Sequence, residues 1–430
     1  MRKQENLPGS KKYFQKISKL RPVLQKIAKT KGTPLFVFDG NEVKENLKKF
    51  TGEFKKNKVD VNVFYAIKSN YYIDLLKTVV KNGGNLDASS KRELELAIKA
   101  GAKQIIYTGP AKTEKDFELI LKHYSKITVN LESKRELELL AKMAAKRNIT
   151  MRCGARVYTK MQKGWTKFGM PLEQLKNFFN EAKKYKSIKF CGIHFHISMN
   201  KKPDPYLKTL KEVARYVKTN FSAKEREKFE YIDMGGGYYP ESFEGKYTWN
   251  KKDEMNIFDE GNLMDKIVKD KFKKRYIPVK VTPIETVVKK ICEVYKKEVL
   301  PILPAIQLYA EPGRFVSHTS MHILLKIIDI KGTGKTTFGI TDGGTNIVGW
   351  EKYQFFYYVP LINLSQFDLK HEKPFVVYGS LCTPDDIWGY YVYGGKAALG
   401  DILLIPFQGA YTYTLAQEFI KDIPKVYNLS

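Results

Sequence analysis

The stretch VNVFYAIKSN (Val61–Asn70) joins an apolar run to a lysine and introduces the pattern that organises most of the chain. Its β-branched and aromatic residues are typical of a strand that is buried on both faces of a parallel sheet. Lys68 closes this run. An ammonium group there either reaches water along its apolar stem or lies in a pocket where it can form a Schiff base with a carbonyl compound. The segment alone leaves both interpretations open.

Similar short apolar runs recur from Pro34 onward, separated by longer lysine-rich stretches with helical spacing. The runs are PLFVFD (34–39), VNVFYAIK (61–68), GNLDAS (84–89), QIIYTG (104–109), ITVNLE (127–132), TMRCGARV (150–157), IKFCGIHFHIS (188–198), YIDMGGG (231–237) and IQLYAEPG (306–313). Such an alternation of strand and helix predicts an α/β protein, a (β/α)8 TIM-like barrel rather than an open sheet.

The pattern changes after about residue 318 to strands without intervening helices, so we expect an all-β C-terminal domain. The predicted domains are an N-terminal segment (1–40) that joins the β domain, the barrel (41–318) and the C-terminal β domain (319–430). Residues Tyr239–Val281, rich in Lys, Asp and Tyr, are expected to form an insertion or lid. Two copies of SKRELEL, Ser90–Leu96 and Ser133–Leu139, predict helix starts rather than a functional repeat.

The composition is that of a globular protein: 43% of the 430 residues are hydrophobic, enough for a sizeable core. No apolar run approaches the roughly 18 residues of a membrane span, and the first residues lack the apolar stretch of a secretory signal, so we expect a cytoplasmic location. The formal net charge of +29 raises nucleic acids and anionic membranes as partners. Because the lysines are scattered over predicted helix faces, we expect neither partner.

The cysteines and histidines bear on metal chemistry. The four cysteines form no CxxC pair, so we expect reduced thiols and neither a zinc knuckle nor a disulfide framework. His194 and His196 form an HxH pair on a predicted strand, which turns both rings to one face and could hold a metal, as in barrel hydrolases. The remaining histidines supply no further ligand cluster, so we expect no metal. Two histidines that fill a polar barrel mouth are the other interpretation.

Chemistry in a barrel lies at the C-terminal ends of the strands, and several polar residues fall there. They are Lys68, Asp87, His194, His196, Gly235, Gly236, Gly237, Glu311 and Arg314. This set offers a lysine for an imine, a carboxylate for a ring nitrogen, a flat imidazole, turn amides for an anion and an arginine for a phosphate. A pyridoxal phosphate site requires those parts, although the triple glycine alone could be a plain tight turn.

Eight segments carry these and further residues in an order that resembles the fold-III pyridoxal phosphate decarboxylases, the family of diaminopimelate, ornithine and arginine decarboxylases. The segments are YAIKSN (65–70), DASSKRE (87–93), HFHIS (194–198), DMGGGYYP (233–240), EPGRF (311–315), DGGTN (342–346), YGSLCTPDD (378–386) and GAYTYTL (409–415). The resemblance covers nearly the whole chain. It implies a pyridoxal phosphate-binding barrel, decarboxylation of an amino acid, and a homodimer with shared active sites.

The resemblance also implies a role for individual residues. Lys68 resembles the Schiff-base lysine, Asp87 the carboxylate near it, and His196 the ring that stacks on the pyridine face. Glu311 resembles the partner of the pyridinium nitrogen, and Cys382 the acid that returns a proton to the α-carbon from the partner subunit. The residues that resemble the phosphate cradle are Gly235, Gly236, Gly237, Arg314 and Tyr411. An inert buried thiol is the other interpretation of Cys382.

Departures from the family concern the distal end of the substrate. Trp350 stands where diaminopimelate decarboxylases usually have an arginine for the distal carboxylate, and losing that contact costs about 2 kcal/mol or more of recognition. Thr383 and Pro384 follow Cys382 where the family usually has an acid. Asp385 and Asp386 are the nearest carboxylates and become the candidate substrate contacts.

A further departure concerns the phosphate. The family's HIGS becomes His196-Ile197-Ser198-Met199, so the serine that binds phosphate is displaced or replaced. We therefore expect a decarboxylase with altered substrate recognition. Diaminopimelate itself, or an amino acid tethered to an acidic carrier protein, are alternative substrates. A catalytically silent regulatory homologue that binds the cofactor is the non-enzyme alternative, and the presence of both Lys68 and Cys382 argues against it.

Overall fold

The computed structural model describes residues 10–162, 166–241, 245–247, 276–332, 337–349 and 357–429. Contacts divide the chain into a barrel unit (41–240 and 281–317) and a β unit (1–40, 241–280 and 318–430). The domain boundaries drawn from the sequence stay a prediction, and this grouping differs from them because it assigns 241–280 to the β unit. Among the described residues, no helix is long and apolar enough to cross a bilayer. The cytoplasmic location stays a prediction.

The secondary structure alternates in the middle of the chain and is mainly β at its end. The strands are β1 Leu35–Asp39, β2 Val61–Ala66, β3 Asn85–Ala88, β4 Ile105–Tyr107, β5 Ile127–Leu131, β6 Met151–Tyr158, β7 Met170–Pro171, β8 Ile188–His194, β9 Tyr231–Asp233, β10 Gly245–Tyr247, β11 Tyr276–Pro278, β12 Gln307–Ala310, β13 Met321–Lys331, β14 Phe338–Thr341, β15 Tyr357–Tyr358, β16 Ile362–Asn363, β17 Glu372–Tyr378, β18 Ile387–Tyr393, β19 Ile402–Ile405 and β20 Val426–Leu429. The helices are α1 Ser10–Lys31, α2 Gly40–Lys56, α3 Ile73–Lys81, α4 Lys91–Lys99, α5 Glu114–Lys122, α6 Lys134–Lys146, α7 Leu175–Ala182, α8 Asp204–Asn220, α9 Ala223–Arg226, α10 Ile284–Val294 and α11 Arg314–Ser317.

The barrel unit is a closed ring of parallel strands, which confirms the predicted α/β barrel. Its order is β2-β3-β4-β5-β6-β8-β9-β12, and β12 pairs with β2 to close the ring. The strands are buried on nearly every residue because helices cover their outer faces. Phe64, Ile106, Cys191, Tyr231 and Tyr309 form one apolar cluster of this unit. All strands point the same way, so their carboxyl ends meet at one mouth.

The loops that enter the helices follow from the local sequence. Ser90 caps α4 and Ser133 caps α6, each through a side-chain oxygen that accepts a backbone N–H three residues later. The two SKRELEL copies are thus helix starts, as predicted. Each apolar stripe then faces the barrel, with Leu94 and Ala97 buried on α4 and Leu137 buried on α6.

The β unit contains a closed ring of six strands, β13-β14-β17-β18-β16-β19, and β13 pairs with both β14 and β19 to close it. β1 pairs antiparallel with β13. β20 pairs parallel with β1 on its other side. The N-terminal segment therefore contributes a strand to the β unit, as the sequence analysis expected. Helix α1 packs Ile17, Leu24 and Ile27 into an apolar cluster of this unit.

Most of the predicted insertion, Tyr239–Val281, lies outside the described residues. Two of its described parts are β10 and β11, which pair antiparallel. β10 also pairs with β15, giving a three-stranded sheet within the β unit. The predicted role as a lid stays a prediction.

Candidate active site

Lys68 lies at the carboxyl end of β2, in a short 3-10 turn that ends the strand. Its side chain is about one-third exposed, and its Nζ is 4.0 Å from Oδ2 of Asp87 on the neighbouring strand β3. Asp87 is fully buried, and Thr108 donates a hydrogen bond to its Oδ1. The pKa of Asp87 is raised to about 8, chiefly by burial and then by the charge of Glu311, while Lys68 and Thr108 oppose the increase.

His196 follows β8 and is fixed through both ring nitrogens. The backbone N–H of Gly236 donates to Nδ1 over 3.1 Å, and Nε2 lies 3.2 Å from Oγ of Ser198. Burial, and then the positive charge of Lys68, lower the pKa of His196 to about 4. The ring is therefore neutral at pH 7. Because Nδ1 accepts from Gly236, the hydrogen-bond network assigns the ring proton to Nε2, which donates to Ser198.

Glu311 follows β12 and lies between the two histidine rings. Its Oε1 is 3.3 Å from Nε2 of His194, and its Oε2 is 3.4 Å from Nδ1 of His196. Burial alone would raise the pKa of Glu311, but His194 and the positive charge of Lys68 hold it well below its ordinary value. Burial lowers the pKa of His194. Glu311 is accordingly the ionised member of this buried group.

His194, His196 and Glu311 also form a group of side chains that could bind a metal ion, which was one interpretation of the HxH pair. Donor atoms of His194, His196 and Glu311 lie within 4.8 Å of one another. The lone pair on Nδ1 of His196, the nitrogen closest to Glu311, already accepts the N–H of Gly236. A metal would have to displace that hydrogen bond.

The triple glycine is needed for packing at each position. A side-chain carbon on Gly235 would lie 2.6 Å from the carbonyl oxygen of Phe195, and on Gly236 2.7 Å from that of Glu311. Gly237 has φ +88°, and a side-chain carbon there would lie 1.9 Å from the oxygen of Ile197. The amides of Gly235 and Gly236 donate to Asp233 and His196. Of the three amides, only that of Gly237 has no protein partner in the described residues.

Asp233 is a buried acid that the sequence analysis did not single out. It ends β9, beside His194 on β8, and its Oδ1 accepts the N–H of Gly235 over 2.9 Å. Burial, and then the charge of Glu311, raise its pKa well above the ordinary value. Its position directly before the glycine turn was the available signal. Arg314 begins α11, and its guanidinium carbon lies 5.2 Å from the ring centroid of Tyr239.

The remaining predicted residues belong to the β unit. Cys382 and Asp385 are exposed, and Tyr411 is half-buried with φ +56°. Asp386 differs from the prediction. Its carboxylate is buried and accepts hydrogen bonds from the backbone N–H and hydroxyl of Thr345 and from the N–H of Leu381. With both oxygens occupied, Asp386 supports its loop rather than contacting substrate.

The departure from the family's HIGS segment lies within the described residues. Ser198 bonds to His196, and Met199, which follows it, is exposed with φ +53°. Trp350 lies outside the described residues.

Comparisons with known proteins agree with this site. The family described as "Pyridoxal-dependent decarboxylase, pyridoxal binding domain" matches residues 41–318. Diaminopimelate decarboxylase of Aquifex aeolicus is 33% identical over 51% of this chain and 55% of its own length. That of Bacteroides thetaiotaomicron is 24% identical over 93% of this chain and 96% of its own. The crystal structure of the Methanocaldococcus jannaschii enzyme superposes with a TM-score of 0.75 at 22% identity, covering 94% of this chain and 89% of that one.

The family match spans the barrel strands that carry Lys68, Asp87, His196 and Glu311, and the solved structure shares the fold across both units. The chain therefore belongs to the pyridoxal-dependent decarboxylase family.

Proposed function

We propose that this pyridoxal phosphate-dependent amino acid decarboxylase, a carboxy-lyase, binds its cofactor at Lys68 and reads its substrate differently from diaminopimelate decarboxylases. When bound, the cofactor supplies an electron-withdrawing ring that accepts the electron pair left by departing carbon dioxide. The observation that carries the proposal is Glu311, which is buried, ionised and placed among Lys68, His194 and His196.

The residues of the barrel mouth fit that cofactor. Oδ2 of Asp87 and Oε1 of Glu311 are buried without a hydrogen-bond partner among the described residues. A buried polar atom left in that state costs about 1–3 kcal/mol, which a protonated ring nitrogen could relieve at Glu311. The amide of Gly237 and the guanidinium of Arg314 are the donors that would hold the phosphate, and the Lys68 amine would anchor the ring.

Each side chain then has a defined task. Glu311, as a carboxylate, would keep a proton on the ring nitrogen of the bound cofactor, whereas an arginine in that place would favour racemases. His196, neutral and fixed through both nitrogens, presents a flat face for stacking. We further propose that Cys382 donates a proton from Sγ to the α-carbon after carbon dioxide leaves. As the family resemblance implies, this thiol would serve the barrel of the partner subunit in a homodimer.

The substrate is an amino acid whose distal group is not bound by the usual arginine. Trp350 in that place disfavours diaminopimelate, and Asp385, exposed on the loop of Cys382, is the carboxylate proposed to contact the distal group. A distal amine would complement that charge, so lysine and ornithine are leading candidates. A carrier-bound amino acid remains an alternative that would suit the +29 charge of the chain.

The purified protein tests the cofactor assignment directly. We expect a visible absorption band of bound cofactor that is lost in Lys68→Ala and kept in Lys81→Ala, an exposed lysine of α3. A protein without the band after incubation with pyridoxal phosphate would overturn the assignment.

Carbon dioxide release over a panel of diaminopimelate, ornithine, lysine, arginine and carrier-bound amino acids then identifies the substrate. A band without release from any substrate would favour the silent regulatory homologue. Shared sites have their own test: mixing Lys68→Ala, expected to be inactive, with Cys382→Ala, expected to keep only slow turnover, should raise activity, because one kind of site in the mixed dimer has both residues. No recovery with verified subunit exchange would contradict the shared site.

A further inference from the structure

Two segments of the β unit carry residues proposed to act in the site, and a third segment, a turn, is hydrogen-bonded to both of them. The three segments are the turn 342–349, the loop 379–386 with Cys382 and Asp385, and the segment 409–421 with Tyr411. Loops that present functional groups need support from fixed partners, because a displacement of about 1 Å can cost about a hundredfold in rate. The support here comes from side chains that the reaction does not use.

Asp386 is the link between the first two segments. Its Oδ1 accepts the backbone N–H of Thr345 over 2.7 Å and the Thr345 hydroxyl over 2.8 Å. Its Oδ2 accepts the N–H of Leu381 over 2.7 Å. Leu381 directly precedes Cys382, so the carboxylate fixes the backbone from which the thiol projects. Hydrogen bonds to a charged acceptor in a buried place are among the stronger kinds.

Close packing around this carboxylate leaves little room for the loop to shift. A side-chain carbon on Gly379 would lie 2.2 Å from Oδ2 of Asp386, and one on Gly344 would lie 2.3 Å from Cγ of Leu381. The indole N–H of Trp388 donates to the carbonyl of Gly343 over 3.1 Å. Gly344 is thus required by the approach of the two loops, and Gly379 by the position of the Asp386 carboxylate within its own loop.

Asn346 extends the same assembly to the third segment. Its side-chain Nδ2 donates to the backbone carbonyl of Gln417 over 2.9 Å. Its backbone carbonyl accepts the N–H of Gln417 over 3.0 Å. A side-chain carbon on Gly349 would lie 2.4 Å from the carbonyl oxygen of Tyr411. The turn 342–349 therefore holds the loop of Cys382 on one side and the segment of Tyr411 on the other.

We infer that Asp386 is a positioning residue, which ties the loop of Cys382 to Thr345 and so fixes the direction from which the thiol delivers its proton. This inference deepens the proposed function and rests on the role of Cys382 given there. Asp386 touches neither substrate nor cofactor; it acts through the backbone of Leu381. The turn 342–349 and the loop of Cys382 are thus joined through one carboxylate.

The matched control is Asp401, another buried acid of the β unit. Its Oδ2 accepts hydrogen bonds from Asn363 Nδ2 over 2.7 Å and from the N–H of Ala398 over 2.9 Å, away from the three segments. Asp386→Asn and Asp401→Asn remove the same charge from similarly bonded places. A general loss of stability would appear in both variants, whereas loss of loop position would appear only in the first.

Hydrogen exchange measured by mass spectrometry on the full-length protein tests the link without any assumption about catalysis. In Asp386→Asn we expect peptides covering 342–349 and 379–386 to exchange at least tenfold faster, with no such change in Asp401→Asn. Thr345→Val, which removes only the hydroxyl bond, should give a smaller change in the same peptides and serves if Asp386→Asn fails to fold. Unchanged exchange in both Asp386→Asn and Thr345→Val overturns the inference.

Proton delivery is tested by reaction in deuterium oxide with the panel substrate that releases most carbon dioxide. Loss of carbon dioxide leaves an electron pair on the α-carbon, which takes one deuteron from the thiol, and the thiolate regains one from solvent. With the unmodified protein and with Asp401→Asn, we expect the deuterium on the α-carbon of the product to have a single configuration. With Asp386→Asn, we expect a mixture of both configurations at that carbon. In that variant kcat should fall at least tenfold while KM stays within about threefold.

The proposed role of Cys382 and the proposed role of Asp386 can be contradicted independently. If Cys382→Ala keeps the single configuration, the proposed role of the thiol is wrong, while hydrogen exchange still decides whether Asp386 holds the loop. If Asp386→Asn loosens both peptides but keeps a single configuration and full kcat, Asp386 is merely structural and the positioning role is overturned.

Discussion

The two SKRELEL copies give the same local structure in two different surroundings. Ser90 and Ser133 have nearly the same backbone angles, and each accepts the N–H of the glutamate three residues on over 3.2 Å. Each glutamate also reaches back to the backbone N–H before its serine, Glu93 to Ser89 over 2.7 Å and Glu136 to Glu132 over 2.9 Å. The local sequence thus determines the helix start completely.

The difference lies in what faces each glutamate. Glu136 is buried against the ammonium of Lys112 at 3.0 Å, with both side chains at most 2% exposed. Glu93, after β3, lies in the electrostatic field of Lys68 and adds negative charge near Asp87. One copy is therefore an anchor between neighbouring barrel loops, and the other adds an acid to the candidate active site. The two identical repeats therefore differ in their contacts because they follow different strands of the barrel.

The largest expected effect comes from breaking the buried pair of the second copy. Glu136→Gln should lower the free energy of unfolding by about 3–5 kcal/mol because it leaves Lys112 buried without its counter-charge. Urea denaturation followed by circular dichroism measures this loss. Glu138→Gln, in the exposed pair with Lys134, is the control and should change stability by less than about 1 kcal/mol. Equal effects of the two changes would mean that the buried pair is not an anchor.

The matching change in the first copy should affect activity more than stability. Glu93→Gln keeps an oxygen that can accept the Ser89 N–H, so the unfolding free energy should fall by under about 1.5 kcal/mol. Removing its charge near Lys68 should lower kcat/KM about tenfold, a change of about 1.4 kcal/mol. Steady-state kinetics of both glutamine variants, at a temperature where both are folded, measure the contrast. A larger activity loss in Glu136→Gln would reverse the assignment.

The pH dependence of stability separates the copies further. Burial raises the pKa of Glu93, opposed by the Ser89 N–H and by Lys68. A carboxyl with a raised folded pKa stabilises the fold at low pH, and this stability is lost as pH rises above the unfolded value of about 4.5 through the folded value. The Tm of the cofactor-free protein should therefore fall less between pH 4.5 and 8 in Glu93→Gln. Asp87 contributes a decrease of the same sign up to about pH 8, and because the charge of Glu93 raises the pKa of Asp87, this contribution also becomes smaller in Glu93→Gln.

The smallest effects should be the same in both copies. Ser90→Ala and Ser133→Ala each remove a helix cap of the same geometry, which costs about 1 kcal/mol. Thermal unfolding of the two variants should give Tm decreases that agree within error. A clear difference would show that the caps, and not only the glutamates, depend on their surroundings.

Local and periodic features of the sequence were sufficient to predict the barrel and its mouth. Lys68, Asp87, His196 and Glu311 were found because each ends an apolar run, and parallel strands bring such ends together. β1 lies in the N-terminal segment that the sequence analysis expected to join the β domain, although its run, PLFVFD, also resembles the barrel runs. Their assigned roles in catalysis stay predictions.

Long-range hydrogen bonding could not be predicted in the same way. Asp386 was taken for a substrate contact because it follows Cys382, yet Thr345, far away in sequence, occupies its carboxylate. Asp233 was missed because an acid before a glycine turn is common and its burial between neighbouring strands depends on the closed barrel. The bond from His196 to Ser198 required a backbone turn that the motif alone does not specify.

The pairing of β1 with β20 has a consequence for how the protein is made. Phe36 pairs with Val426, so β1 pairs with a strand that is synthesised about 390 residues later. At about 5–20 residues per second, β1 leaves the ribosome tens of seconds before its partner exists. The barrel unit is complete in the nascent chain by residue 317, before most of the β unit is synthesised. Vectorial synthesis thus favours a folded barrel with an open β1 edge, which is the state most exposed to aggregation and to chaperones.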